Sequence, residues 1–473
     1  MAENYDLVIV GGGTGGYVAA IRAAQNGWRT AIVEREKLGG TCLHRGCIPS
    51  KALLRSAEVL RTANGAAEFG VRTEAVSLDF EAVQKRKQSV VDTLYQGVQG
   101  LMKKGKIDIY YGIGRILGPS IFSPTPGTVS VELPEGENEM LIGSNVLIAT
   151  GSSPRPLPGL AFDGTHVLSS DNALSLEALP SSIIIIGGGV IGIEWTSMLV
   201  DFGVSVTVVE YGERILPNED EDISAEMMRQ LEKRGVTFHL NARFDSESVN
   251  KQENGVTALA EVNGEPLSLE AEKLLVSVGR VANIEGMGLE NTDIVVKNGC
   301  IAVNEWYQTK ESHIYAIGDC IGGMQLAHVA SHEGLLAVAH MTRDFHEPLD
   351  YATVPSCIYS FPESSSVGFT EAQAKEAGHS VKVGKFPFQA IGKALVQGEA
   401  EGFVKLIADS DNDDLLGVHI IGAHATDLIS EAALAKVVDA AHFEIAETIH
   451  PHPTLSEIIG EAALAVDRRA IHM

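Results

Sequence analysis

Three features of the sequence predict an α/β fold class, with two Rossmann-like, doubly wound modules and a C-terminal α+β region. The first is "LVIVGGGTGGYVAAIRAAQNGWRTAIVE", where a strand-like apolar run passes through Gly11, Gly13 and Gly16 into a helix-like stretch and a second apolar run ends in Glu34. The second is its repeat, "IIIIGGGVIGIEWTSMLVDFGVSVTVVE", with Gly187, Gly189, Gly192 and Glu210 at the same spacing. The third is a change of pattern after "TRDFHEPLDY" (342–351), where new strand and helix signals begin and continue to "SEIIGEAALAV" (456–466).

At 473 residues and 45% hydrophobic composition, the chain is too long for one ordinary domain and apolar enough for several cores. Turn-rich "GPSIFSPTPGTVSVELPEGENEM" (118–140) and Pro-rich "GSSPRPLPGL" (151–160) suggest a crossover out of a first module, and "SVGRVANIEGMG" (277–288) a return from a second. The expected segments are 1–150, 151–279, 280–350 and 351–473.

Thirty-six basic against 62 acidic residues give a formal charge of −26, which repels nucleic acid and anionic membrane. The acids are scattered, so a solvated surface is the simplest reading. "MAENYDLVIV" has neither the basic leader nor the apolar core of a secretory signal, and the longest apolar stretch (183–193) is short of the ~20 residues a membrane span needs. The expectation is a soluble, cytoplasmic protein with no nucleic-acid or membrane partner.

One G-x-G-x-x-G is weak evidence, but both copies follow a strand, open a helix and end in an acid at the next strand's tip. Glycines there let the backbone approach a pyrophosphate at the positive end of a helix, and an acid about 20 residues on accepts from a ribose hydroxyl. Two such sites suggest two dinucleotides with electrons passing between them. The first lies just before a cysteine pair and is the better candidate for a tightly held flavin. Glu210 would repel a 2′-phosphate, so the second favours NAD over NADP. The strand-then-glycine segments "VLIATGSSPRP", with Thr150 and Gly151, and "IYAIGDC", with Asp319, are able to reach a polar cofactor chain.

Taken together, "GGGTGG" with Glu34, "GGTCLHRGCIPSK", "IATG", "GGGVIGIEW" with Glu210, "VGR", "AIGDC", "LAHVASHEG" and "HPHPTLSE" stand in one order along essentially the whole chain. In this the chain resembles the flavin-dependent pyridine nucleotide-disulfide oxidoreductases, and among them the branch acting on dihydrolipoamide. The resemblance implies a non-covalent FAD domain interrupted by an NAD domain, a central domain and a C-terminal interface domain that makes a homodimer. It implies FAD contacts from Gly11, Gly13, Gly16, Glu34, Lys51, Thr150, Gly151, Asp319 and Ala327. NAD contacts are implied for Gly187, Gly189, Gly192, Glu194, Glu210, Gly279 and Arg280, with Glu194 also paired to Lys51. The implied partners are a lipoylated acyltransferase or the lipoyl protein of glycine cleavage, within 2-oxoacid dehydrogenase or glycine cleavage complexes, with the acidic surface available to a basic docking module.

Cys42 and Cys47 have three possible readings. Zinc needs about four ligands, and Cys42, Cys47 and His44 offer at most three, so no metal is expected. A structural staple over so short a loop gains little entropy and is opened by cytosolic reductants. A redox pair fits best, since exchange needs a thiolate within reach of a second sulfur. By the resemblance, Cys42 attacks the substrate disulfide and Cys47 contacts the flavin. "CLHRGC" departs from the family's "CLNVGC", and Arg45 has two readings: it favours the thiolate and shifts the redox poise, or it simply points to water. Cys300, Cys320 and Cys357 are expected to be buried thiols.

Exchange also needs a base, and His is suited near neutral pH. In "HPHPTLSE" each His precedes a Pro, which sends His450 and His452 to opposite sides of an extended path. The resemblance selects His452 as the base, oriented by Glu457. A competing account places Thr454 and Glu457 in a capping box, T-x-x-E, ahead of an apolar helix.

Overall fold

The structure, a computed structural model, describes residues 3–119, 126–344 and 347–472. It divides into two compact units: residues 1–53, 79–155 and 279–349 form the first, and residues 54–78, 156–278 and 350–473 the second. The chain therefore leaves the first unit at Leu54 and returns at Asp79, leaves again at Pro156, returns at Gly279 and leaves finally at Asp350. The turn-rich stretch near 120 lies partly outside the described residues.

In the first unit a seven-stranded sheet has Asp108–Tyr111, Thr30–Glu34, Glu3–Val10, Asn138–Ile148, Thr128–Glu132 and Ile113–Leu117 in spatial order, with Ile314–Ala316 also pairing with Asn138–Ile148. The pairings along the glycine fingerprint are parallel. Both faces of the sheet are buried, which explains the unbroken apolar run before Gly11. Leu7 and Ile9 pack with Ala19, Ala20 and Ala23 of the helix Thr14–Gln25, while Val8 and Val10 face Val129, Val131 and Val146.

The second unit repeats the arrangement in a five-stranded parallel sheet ordered Thr237–His239, Ser205–Val209, Ser182–Ile186, Lys273–Val276 and Val167–Leu168. An antiparallel meander, Ala242–Gln252, Gly255–Val262 and Glu265–Ala271, is inserted before its last-formed strand. The C-terminal portion is a five-stranded antiparallel sheet in which Phe403–Asp409 and Leu415–Gly422 are buried along their whole length. One face carries Val404, Leu406, Val418 and Ile420 against the helices Ala425–Val437 and Glu457–Val466. No helix of the described residues is long and apolar enough to cross a membrane.

The helix Glu457–Val466 reaches this sheet through a position that admits no side chain. A Cβ on Gly384 would lie 2.2 Å from Ala462 O and 2.5 Å from Val466 N. Gly384→Ala must push that helix outward, and overpacking of this kind costs about 1–3 kcal/mol. The expected outcome is a lower denaturation midpoint together with a displaced Glu457, read as reduced turnover; an unchanged midpoint would contradict the close packing.

Candidate functional site

The two glycine turns have the same construction. Gly11 and Gly187 have φ of +108° and +102°, where a side chain is strained, and a Cβ would strike Ala149 O at 2.2 Å and Ser277 O at 2.6 Å respectively. Gly16 and Gly192 let each helix lie on its strand, their would-be Cβ atoms falling 2.0 Å from Gly11 O and Gly187 O. The middle position is different. A Cβ on Gly13 would meet only Gly40 Cα, at 4.0 Å, and one on Gly189 would meet nothing within 4 Å. Internal packing does not require glycine there, whereas a cradle for a phosphate chain at a helix N-terminus does. This is the observation on which the residues fit dinucleotides.

The acids perform a further task that their spacing did not reveal. Glu34 accepts from Gly12 N (2.8 Å) and Glu36 N (2.8 Å), and Glu210 accepts from Gly188 N (2.6 Å) and Gly212 N (2.7 Å). Each carboxylate thus braces its glycine turn, and its remaining lone pairs are available for a ribose. Burial raises the pKa of Glu34, opposed chiefly by the Gly12 N–H.

Cys42 lies in the short helix Gly40–Arg45, and Cys47 begins the helix Cys47–Asn64. No disulfide is present, and the two thiols are within hydrogen-bonding reach. That contact is the largest cause holding Cys42 above the ordinary thiol range, followed by burial. The Thr14 hydroxyl and the Lys51 ammonium pull the other way. Thr14, the first residue of its helix, is a member of this site that the sequence reading did not single out.

The two residues between the cysteines have structural partners. His44 Nε2 lies 2.9 Å from Leu38 O, with its ring edge-on to Tyr95, and Arg45 pairs with Glu36. Of the two readings of Arg45, the ion pair with Glu36 favours the one without a redox role, since its charge is largely neutralised there. Of the other three cysteines, Cys320 is buried, whereas Cys300 and Cys357 are half-buried rather than buried as expected. No cluster able to hold a metal ion occurs among the described residues.

Asp319 belongs to a small polar network. It accepts from Ser152 Oγ, while Arg280 lies 3.7 Å away and donates to Ser152 Oγ and Ser152 O, both at 2.7 Å. Arg280, expected at the second nucleotide, thus lies beside Asp319, and Gly279 and Arg280 both fall in the first unit. Gly151 has φ of +68° with open space where a Cβ would be, and Thr150 O accepts from Asn283 Nδ2 (3.1 Å). Ala327 opens the helix Ala327–Met341, whose cap residue Leu326 makes no side-chain hydrogen bond. Glu194 is buried in the helix Val190–Asp201 and accepts from Tyr359 N (3.0 Å).

The two histidines of "HPHPTLSE" diverge sharply in exposure. His450 is turned inward on Glu431 (2.8 Å), which raises its pKa, while the His452 side chain is 79% exposed. Glu457 serves two partners, with Oε1 on His452 Nδ1 (2.9 Å) and Oε2 on Thr454 N (2.9 Å). The capping box is only half formed. Thr454 Oγ1 donates to Pro451 O, and the helix is capped at Ser456 without a side-chain bond. Burial tends to raise the pKa of Glu457, but the bonds from His452 and Thr454 outweigh it and hold the carboxyl below its usual range. An ionised carboxylate only accepts, so Nδ1 carries a proton, which leaves Nε2 as the nitrogen that can exchange one.

Residues 5–334 match the pyridine nucleotide-disulphide oxidoreductase family, and residues 354–463 match that family's dimerisation domain. The chain is 67% identical over 473 residues to dihydrolipoyl dehydrogenase of Bacillus subtilis, covering 100% of both chains. It is 42% identical to leghemoglobin reductase of Glycine max, over 98% of this chain and 88% of that one. Among solved structures, LpdA from Mycobacterium tuberculosis superposes with a TM-score of 0.89 at 27% identity, covering 98% of this chain and 99% of the other.

Two outcomes are expected. Gly189→Ala should leave the denaturation midpoint close to that of the unaltered protein yet weaken NADH binding, whereas Gly192→Ala should lower both; equal midpoints for the two variants would remove the distinction drawn here. Arg45→Val should leave the potential of the dithiol pair, measured by equilibration with a thiol–disulfide buffer, within error of the unaltered value; a clear shift would restore a redox role for Arg45.

Proposed function

The chain belongs to the pyridine nucleotide-disulphide oxidoreductases, and we propose that it oxidises dihydrolipoamide carried on a partner protein, with NAD as the electron acceptor. It is an oxidoreductase carrying out the dihydrolipoyl dehydrogenase reaction. Bound FAD supplies the two-electron relay between a dithiol and NAD. The observation that carries this reading is the Cys42–Cys47 thiol contact, with Lys51 acting on Cys42 and the first glycine turn in the same unit.

In the substrate half-reaction the pair starts as a disulfide. His452 Nε2 takes a proton from one substrate thiol, and the thiolate attacks Cys42 Sγ and expels Cys47 as thiolate. The second substrate thiol then attacks the sulfur bonded to Cys42 and its proton passes to the departing Cys42, which closes the lipoamide ring and leaves Cys42 as a thiol, with Cys47 as thiolate and the first proton on His452. Two electrons now reside on the pair. Glu457 keeps the His452 proton on Nδ1 and stabilises the imidazolium that forms. Lys51 lowers the cost of negative charge on the sulfurs.

Gly11, Gly13, Gly16 and Glu34, with Thr150, Gly151, Asp319 and Ala327, hold FAD in this reading, and Gly187, Gly189, Gly192, Glu194 and Glu210 hold NAD. Arg280 is then better assigned to the first site, through Ser152 and Asp319. The C-terminal match supports a homodimer. The partner is a lipoylated acyltransferase or the lipoyl protein of glycine cleavage, and the location is the cytoplasm, where a lasting structural disulfide would be rare and a transient catalytic one is not.

Cys42→Ser should abolish dihydrolipoamide-dependent NADH formation. His452→Gln should lower it by roughly 10²- to 10⁴-fold, the range for loss of a positioned base. Both should retain NADH binding. Near-normal turnover in His452→Gln would remove that residue from the mechanism.

A further inference from the structure

Beyond Glu210 the chain forms a loop fastened at both ends. At its middle, Leu216 N donates to Gly188 O (2.9 Å), the carbonyl of the residue whose N–H is held by Glu210. The Arg214 guanidinium gathers the carbonyls of Leu216, Pro217 and Glu219 at 3.3, 2.7 and 2.8 Å, making the turn one stiff piece. At its far end Asp220 caps the helix Glu221–Lys233 and accepts from Glu371 N (3.1 Å). Lys405, on the strand Phe403–Asp409, brings its ammonium to this end. It lies 2.9 Å from Asp220, 2.9 Å from Asp222 and 2.8 Å from Glu371, with its side chain only 4% exposed.

The first module has the same connection but a different ending. There Gly39 N donates to Gly12 O (2.8 Å), Gly39 has φ of +103°, and the chain runs directly into the helix bearing Cys42. In the second module Leu216 fills the corresponding place at φ of +48°, a conformation that side chains avoid and that surrounding structure must impose. Leu216 is held there by its N–H on Gly188 O and by the Arg214 guanidinium on its carbonyl, and the turn so formed runs into the Asp220–Lys405 pair. His419, paired across the sheet from Lys405, is fully buried and its pKa is pushed down by that burial, so it supplies no competing charge. Lys385 reaches only Asp222, at 3.4 Å.

We propose that Lys405 is a positioning residue for NAD: it holds the Asp220 end of the loop, and through Leu216 that end fixes the Gly188 turn and the aim of Glu210. The proposal rests on the second glycine turn being the NAD site. Without the ammonium, Asp220, Asp222 and Glu371 repel one another, and the loop end moves to relieve them.

The test uses the full-length, flavin-loaded protein. Lys405→Met should weaken NADH binding, measured by direct titration, by roughly tenfold, the equivalent of about one well-made hydrogen bond. Reduction of the Cys42–Cys47 pair by dihydrolipoamide, counted as alkylated thiols, should keep its rate. Amide exchange at Leu216 should quicken while that at Gly39 stays as it was, and Lys405→Arg should recover most of the affinity. If Lys405→Met does not fold, Asp220→Asn, which removes the anchored charge and leaves Lys405 its other two carboxylates, should show the same pattern. Unchanged NADH affinity, or equal losses in both half-reactions, would overturn the proposal. Failure of the unaltered protein to bind NADH would instead overturn the NAD assignment on which it rests.

Discussion

Everything at the candidate site depends on a carboxylate bracing a glycine turn. A strand that ends on a left-handed glycine and restarts as a helix leaves several backbone N–H groups without partners. Glu34 and Glu210 each take one of these groups, the N–H of Gly12 or Gly188, together with that of a residue just beyond the acid, and so fix the turn. Each turn then passes its position to the loop that follows through one carbonyl, Gly12 O or Gly188 O. The redox loop and the anchored loop are the same structural slot put to two uses.

The chemistry builds on this frame by neighbours more than by charge. Thr14, one residue after the first cradle glycine, and Lys51, one turn beyond Cys47, act on Cys42 from different elements. His44 and Arg45 secure the loop by contacts with Leu38 and Glu36. A charged residue between two cysteines invites an electrostatic reading, but a half-exposed guanidinium with its own carboxylate contributes little at a distance.

Much of this was legible in the sequence because the determinants are local. The fingerprints announce themselves by glycine spacing, strand-like runs and a terminal acid, and the adjacent Pro residues separate His450 from His452. What escaped depends on contacts distant in sequence. Ser152, Arg280 and Asp319 meet only when the chain returns to the first unit, a contact that "VGR" read alone does not announce. Lys405 in "GFVKLIADS" reads as an outward position of a strand, and its three carboxylates come from remote segments. The T-x-x-E pattern failed in the opposite way, since local spacing suggested a complete cap, whereas Glu457 reaches back to Thr454 N while the Thr454 hydroxyl turns to Pro451 O.

The open space at Gly13 and Gly189 has an evolutionary consequence. An alanine there gains from a less flexible unfolded chain and loses a little as a helix cap, two small effects of opposite sign. Selection for folding alone would therefore be nearly blind at these two positions, while policing Gly16 and Gly192 closely. A descendant of this chain released from its cofactors would be expected to drift first at the cradle glycines. It would remain a well-folded protein that had lost its electron path, and its history would be readable from which of the glycines had changed.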